Sequence, residues 1–264
     1  MQIQYVDAQN LAQLQQTAPA VAMALGYFDG VHIGHQHVIE AAKQKANARG
    51  VQLAVLSFFP HPKSVLQPDK PVHYIEPLEQ KAQKLAQLGV DIFYVVQFTK
   101  QLAALSPVAF LDGYVKGLHA VEIVCGFDYT YGHKASGTVD TLSVYAATQH
   151  IGSTIVNAHT YQAQKVSSTR IRHCLQTGNL RVLPQLLGCY YTTEYCQTSG
   201  VLPYYTLPKQ GHYHILVDTG DAFIPCMATV QCTQRVQIHC DERELPQRVT
   251  IQWIEQAHAM QVYA

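Results

Sequence analysis

His32 and His35 stand three residues apart in the stretch G-Y-F-D-G-V-H-I-G-H-Q, residues 26–36. Two imidazoles at that spacing, with a glycine beside the second, suit the donation of hydrogen bonds to a phosphoryl group as charge builds on it. Gly34 keeps the backbone bare, so a polyanion can approach closely. The residues before the stretch, V-A-M-A-L at 21–25, read as a buried strand, and those after it, V-I-E-A-A-K-Q-K-A at 38–46, read as a helix. His35 then falls near a helix start, where unpaired N–H groups and the dipole favour negative charge. The stretch is a strand-to-helix turn, the place where α/β sheets put their ligand sites. Asp29, just before the histidines, either fixes the turn by accepting N–H bonds or assists a Mg2+ ion.

Three more stretches have residue types that can do chemistry. S-F-F-P-H-P at 57–62 holds His61 between two prolines in a rigid loop at a strand end, either bordering a flat ring or presenting the imidazole to a phosphate. G-F-D-Y-T-Y-G at 126–132, with Gly137 beyond, turns a strand end into a loop carrying Asp128 among aromatic residues. K-V-S-S-T-R-I-R at 165–172 sets three hydroxyls ahead of a helix with Arg170 and Arg172 in its first turns. Hydroxyls and N–H groups there can hold phosphate oxygens, and arginine adds a charge-assisted fork.

The elements that must position these residues alternate along the chain. Strands are expected at 21–28, 51–59, 90–96, 121–125 and 153–158, with helices at 35–49, within 77–88, and at 138–150. Ser106-Pro107 supplies an N-cap and a proline at the first helical position. Val108, Leu111, Val115 and Leu118 then mark one helical face. Continuous apolar strands separated by helices predict a parallel sheet covered on both faces. Near Gly188 the pattern changes. H-Y-H-I-L-V, R-V-Q-I-H-C and R-V-T-I-Q-W-I alternate with period two, as half-buried antiparallel strands do. The expectation is an α/β domain over residues 1–187 and a small, mainly antiparallel β domain over 188–264.

Residues 26–36 resemble the signature of the HxGH nucleotidyltransferases, and the form G-x-F-D-G-V-H-x-G-H-Q is similar to the FMN adenylyltransferase module of bacterial FAD synthetases. The stretches at 57–62, 126–132 and 165–172 resemble that family's F-x-P-H-P, G-x-[DN]-[FY]-x-[FY]-G and V-S-S-T-x-I-R motifs in the same order. The resemblance covers about 190 residues and implies a Rossmann-like nucleotidyltransferase domain that makes FAD and pyrophosphate from FMN and ATP with Mg2+. It implies catalytic roles for His32, His35, Asp128 and Arg172. It further implies ATP binding by Gly26, Phe28, Asp29, Gly34, Lys165, Ser168 and Thr169, together with His32, His35 and Arg172. Flavin binding falls to Phe59, Pro60, His61, Pro62, Asp128, Tyr129 and Tyr131, with Mg2+ held mainly through the ATP phosphates. Phe59 stands where the family commonly has an acidic residue. FAD synthetases usually carry a C-terminal riboflavin kinase barrel with a P-T-A-N motif. Residues 188–264 contain no P-T-A-N, and only Pro208-Lys209-Gln210-Gly211-His212-Tyr213 faintly resembles that barrel. A degenerate barrel without kinase activity is expected, which braces the first domain, covers the flavin or mediates association. Two alternatives use the same motifs: a non-catalytic flavin or nucleotide sensor, and an adenylyltransferase for another phosphorylated acceptor.

Composition sets outer limits. A chain of 264 residues with 48% hydrophobic content can bury a substantial core. Eighteen basic residues balance eighteen acidic ones, against a broad basic face for nucleic acid. No run approaches the roughly 20 apolar residues of a membrane helix, and no secretory signal is visible at the start. Seven cysteines without a C-x-x-C pair suit free thiols in the cytoplasm. The fourteen histidines show no zinc-ligand spacing.

Overall fold

Residues 21–25 are apolar at every position because both faces of their strand are covered. In the computed structural model, which describes residues 1–70, 72–202, 204–232, 235–240 and 245–257, this strand lies inside a six-stranded sheet with order β1-β4-β3-β2-β5-β6, all its pairs parallel. The strands are β1 (Gln2–Val6), β2 (Val21–Leu25), β3 (Gln52–Phe59), β4 (Ile92–Gln97), β5 (Ala120–Gly126) and β6 (Gly152–Val156). Between them run α1 (Leu11–Thr17), α2 (Ile33–Arg49), α3 (Pro62–Leu66), α4 (Leu78–Gln87), α5 (Lys100–Ala103), α6 (Pro107–Phe110) and α7 (Val139–Thr148).

Alternation along β2 divides the interior into two cores. Val21, Met23 and Leu25 face one side with Phe110, Leu111 and Leu142. Ala22 and Ala24 face the other, against Ile39, Ala42 and Leu85. The small alanines let α2 approach the sheet closely. The chain divides into two compact units, and this sheet belongs to the first, Met1–Val72 with Leu78–His159.

The parallel sheet covered by helices is as expected from the apolar strands. Two details differ. The strand β1 and helix α1 at the start were not anticipated, because Q-I-Q-Y-V belongs to an edge strand and leaves Ile3 and Tyr5 exposed. The helix after Ser106 widens into a π-helical turn over Leu111–Lys116. The wider turn shifts the buried face: Phe110 takes the core position, and Val108, expected inside, is 56% exposed.

The second unit comprises His73–Pro77 and Thr160–Ala264. It opens with a hairpin of β7 (Thr160–Tyr161) and β8 (Gln164–Lys165), followed by α8 (Ser168–Thr177) and α9 (Leu183–Leu187). A six-stranded antiparallel sheet follows, of β9 (Tyr191–Cys196), β10 (Gly200–Val201), β11 (Gly211–Asp218), β12 (Phe223–Cys232), β13 (Arg235–His239) and β14 (Arg248–Gln256). Its order is β10-β9-β14-β11-β12-β13, and the two end strands approach each other, so the sheet curls toward a barrel. The period-two stretches become β11, β13 and β14, with Tyr213, Ile215, Val217, Ile251 and Trp253 turned inward. The boundary expected at 187/188 falls inside this unit, between α9 and β9. Ile171, Leu175, Leu183 and Leu187 share one core with Tyr191, Tyr213 and Trp253. Among the described residues no helix is long and apolar enough to cross a membrane.

Candidate active site

Three of the four sequence motifs meet at one edge of the parallel sheet. β3, β2 and β5 are adjacent and parallel, so the loops after Phe59, Leu25 and Gly126 leave from the same C-terminal edge. The chain runs from β2 to β3 on one side, and β5 lies on the other. That reversal is the switch point at which open α/β sheets bind ligands.

The turn after β2 is strained. Phe28 has φ 54°, Gly30 φ 81° and Val31 φ 35°, and a β-branched valine rarely occupies that region. Phe28, Asp29 and Val31 are all buried, so packing on every side keeps the turn in place. A side chain at Gly26 would put its Cβ 2.8 Å from the Phe28 ring. Phe28 is 1% exposed and has nowhere to move. Gly26→Ala is therefore expected to lower stability by about 1–3 kcal/mol by overpacking, read as a reduced urea midpoint.

Helix α2 starts at Ile33, two residues before the expected His35, because His32 itself caps it. The His32 Nδ1 accepts the His35 backbone N–H at 3.2 Å. An acceptor Nδ1 leaves Nε2 as the protonated nitrogen of a neutral ring, and so a donor. The two rings stack at 3.5 Å between centroids and 15° between planes, and the Phe28 edge meets His35 at 5.2 Å. His32 is 5% exposed. Gly34 lies in the first turn of α2, where unpaired N–H groups collect.

The loop after β3 is built around His61. It caps α3 by accepting the Lys63 N–H at Nδ1, 3.0 Å, with Pro62 as the first helical residue. Its ring meets Tyr27 edge-on at 4.4 Å. The Phe59–Pro60 bond is cis, and the Phe59 side chain is 40% exposed. After β5, Asp128 is exposed. Tyr131 is fixed by backbone bonds to Gly137 in both directions and by its hydroxyl, 3.1 Å from Thr141 Oγ1. Tyr129 stacks on Tyr131 at 5.7 Å. Its hydroxyl is buried without a hydrogen-bond partner among the described residues, and burial raises its pKa. Burial, and then the Asp128 charge, push the Cys125 thiol at the end of β5 up to about 12. It is no nucleophile at neutral pH.

The fourth motif lies in the second unit. Ser167 caps α8 by accepting the Arg170 N–H at 3.2 Å. Ser168 and Thr169 occupy the first turn, with Thr169 exposed, and Lys165 is exposed on β8. The two arginines divide their work. Arg170 donates to the Tyr161 and Gln164 carbonyls and lies over the Tyr161 ring, so it ties the β7–β8 hairpin to the helix. Arg172 donates to the His73 carbonyl at 3.3 Å.

Sequence reasoning assigned no role to Tyr27, Ser57 or Lys81. The Tyr27 carbonyl accepts both the Ser57 hydroxyl and the Lys81 ammonium, each at 2.8 Å. Lys81 is 2% exposed. Its spacing held a signal: Leu78, Lys81 and Leu85 follow the i, i+3, i+7 rule, which puts the lysine on the apolar stripe of α4.

The profile of the FAD synthetase family matches residues 14–170. The chain is 52% identical over 173 residues to a bifunctional riboflavin kinase/FMN adenylyltransferase of Listeria monocytogenes, which covers 65% of this chain and 55% of that protein. It is 47% identical over 170 residues to the Bacillus subtilis protein of the same name, covering 64% and 54%. It thus spans about half the length of these two relatives. A second Listeria protein, an FAD synthetase, is 31% identical over 205 residues, covering 76% of this chain and 82% of its own. A crystal structure titled as a macrolide-efflux protein from Streptococcus pneumoniae has the same fold, with a TM-score of 0.82 and 24% identity over 98% of this chain and 92% of its own.

Proposed function

Because the chain belongs to the FAD synthetase family, we propose that it is a cytoplasmic FMN adenylyltransferase that transfers AMP from ATP to FMN, giving FAD and pyrophosphate. The observation that carries the reading is the stacked His32–His35 pair at the head of α2, on the sheet edge shared with the His61 loop and Asp128.

The FMN phosphate is already ionised at neutral pH, so the reaction needs no strong base. Alignment and charge stabilisation carry the rate, as in other phosphoryl transfers. The FMN phosphate oxygen attacks the α-phosphorus, and the bond from that phosphorus to the α,β-bridging oxygen breaks, so the β- and γ-phosphates leave together as pyrophosphate. His32 and His35 donate hydrogen bonds to the α-phosphate and bridging oxygens as charge grows there. Gly26, Phe28 and Asp29 shape the turn that presents them. Lys165, Ser168, Thr169 and Arg172 are assigned to ATP phosphates on the chemistry of their donors. Phe59, Pro60, His61, Pro62, Tyr129 and Tyr131 are assigned to the flavin. The Tyr129 hydroxyl, buried without a partner among the described residues, supports this, because such a group calls for one from a ligand or water. Asp128, exposed in the turn after β5, is assigned to both substrates.

Among the described residues no three His, Cys, Asp or Glu side chains group closely enough to hold a metal ion. Mg2+ prefers oxygen ligands and keeps substrate phosphates among them, so we assign it to the phosphates of ATP, where it would neutralise their charge when bound. We assign the transferase to residues 1–187 and a degenerate barrel without kinase activity to 188–264.

Two incubations test this. With FMN, ATP and Mg2+, FAD and pyrophosphate are expected by chromatography, and CTP or pantetheine phosphate in place of a substrate should give no product. No FAD would end the reading. With riboflavin, ATP and Mg2+, no FMN is expected, and clear FMN formation would overturn the assignment of the C-terminal part.

A further inference from the structure

We propose that Lys81 and Ser57 are positioning residues for adenylyl transfer, acting through the Tyr27 carbonyl to hold the turn that aims His32 and His35. The inference rests on the adenylyltransferase reading and extends it to two residues that bond the Tyr27 carbonyl.

Lys81 lies on α4 beside Ala82 and Leu85, facing inward, and only 2% of it is exposed. A lysine is almost never buried this far without a specific partner. As packing alone, a leucine or methionine would fill that place without desolvating a charge. The ammonium instead does two things at one residue. It donates to the Tyr27 carbonyl at 2.8 Å, and it lies 4.4 Å above the Tyr27 ring centroid as a cation–π contact. The Ser57 hydroxyl, 1% exposed on β3, donates to the same oxygen at 2.8 Å.

That carbonyl is the last one before the strained turn. Phe28 follows with φ 54°, then Gly30 and Val31 at positive φ, and then the cap residue His32. A turn in that conformation persists only where its surroundings hold it. Two donors on one oxygen fix the peptide plane between Tyr27 and Phe28, and the Phe28 ring in turn meets His35. The Tyr27 ring also meets His61 edge-on at 4.4 Å. One buried ammonium therefore braces the histidine turn and the P-H-P loop together. Because a misplacement of about 1 Å can cost about a hundredfold in rate, releasing this peptide should show in turnover rather than in substrate affinity.

The test compares wild-type protein with Lys81→Met and Ser57→Ala, following FAD formation and the histidine ring signals in 15N-histidine NMR spectra. For Lys81→Met, kcat is expected to fall about twentyfold with the KM values for ATP and FMN within about threefold, and the His32 and His35 ring signals to shift. For Ser57→Ala, kcat is expected to fall about fivefold in the same manner, and this variant decides the matter if Lys81→Met does not fold. A merely structural role would lower thermal stability while the folded enzyme kept its kcat and its ring signals. A folded variant with kcat within about twofold of wild type, or with unmoved ring signals, overturns the inference. A wild-type protein that makes no FAD refutes the parent reading instead, and the ring signals still report whether Lys81 holds the turn.

Discussion

Turnover of FMN and ATP to FAD is expected to fall at least about a hundredfold when His32 or His35 is replaced by alanine, with the protein still folded. Removing one preorganised donor to a developing negative charge typically costs about 3–4 kcal/mol of barrier. The two positions differ in what else they lose. His32 caps α2, so His32→Ala also forfeits about 1 kcal/mol of helix stability. His32→Asn separates these effects, because asparagine is a good cap and no imidazole donor. It should restore the thermal midpoint and leave the rate low. His35→Ala removes the stacking partner of His32 and the edge contact with Phe28, while the cap remains. Steady-state FAD formation measures the rates, and thermal unfolding followed by circular dichroism measures the fold. A rate near that of wild type in either alanine variant would remove the imidazoles from the chemistry.

The largest effect on stability is expected at Trp253. It is fully buried in β14, its indole N–H donates to the Thr193 hydroxyl at 3.0 Å, and the Tyr213 ring meets it at 5.5 Å. Trp253→Ala should lower the stability of the second unit by about 3–5 kcal/mol, part of it from leaving the fully buried Thr193 hydroxyl unpaired. Ile171 and Leu175 of α8 share this core. The first turn of that helix carries Ser168 and Thr169, so its amides should exchange with solvent faster in the variant. Urea unfolding and hydrogen exchange measure the two effects. A loss below about 1 kcal/mol would mean that Trp253 does not organise this core. Trp253→Phe should be milder, since a ring still fills most of the space.

Much of this was legible along the chain, and particular residues show why. V-A-M-A-L announced a strand buried on both faces because no position in it could face water. The period-two runs at 212–217 and 248–254 announced half-buried strands because each pleat turns alternate residues inward. The histidine turn could be read because a glycine-rich break between a strand and a helix is a local event. The failures were also local in origin. Counting by helical period placed Val108 inside, and a single wide turn moved Phe110 there instead. The helix head was read at His35 because a histidine cap is uncommon, and His32 fills that place.

The sequence by itself determined the order of the motifs, the type of nearly every element beside them, and the chemistry their side chains can perform. Those properties reside in composition and short periodicities, which the chain carries wherever it folds. Only the tertiary structure decided which residues serve the histidines. Tyr27, Ser57 and Lys81 meet because the turn after β2, the end of β3 and the inner face of α4 come together at one sheet edge. It also decided that α8 and α9 bury their leucines with the antiparallel strands, and that His32 keeps its proton on the nitrogen away from the helix. A hydrogen bond depends on distance in space, and 54 residues separate Tyr27 from Lys81 along the chain. No local pattern records such a pairing, because strand order and helix packing bring the two ends together.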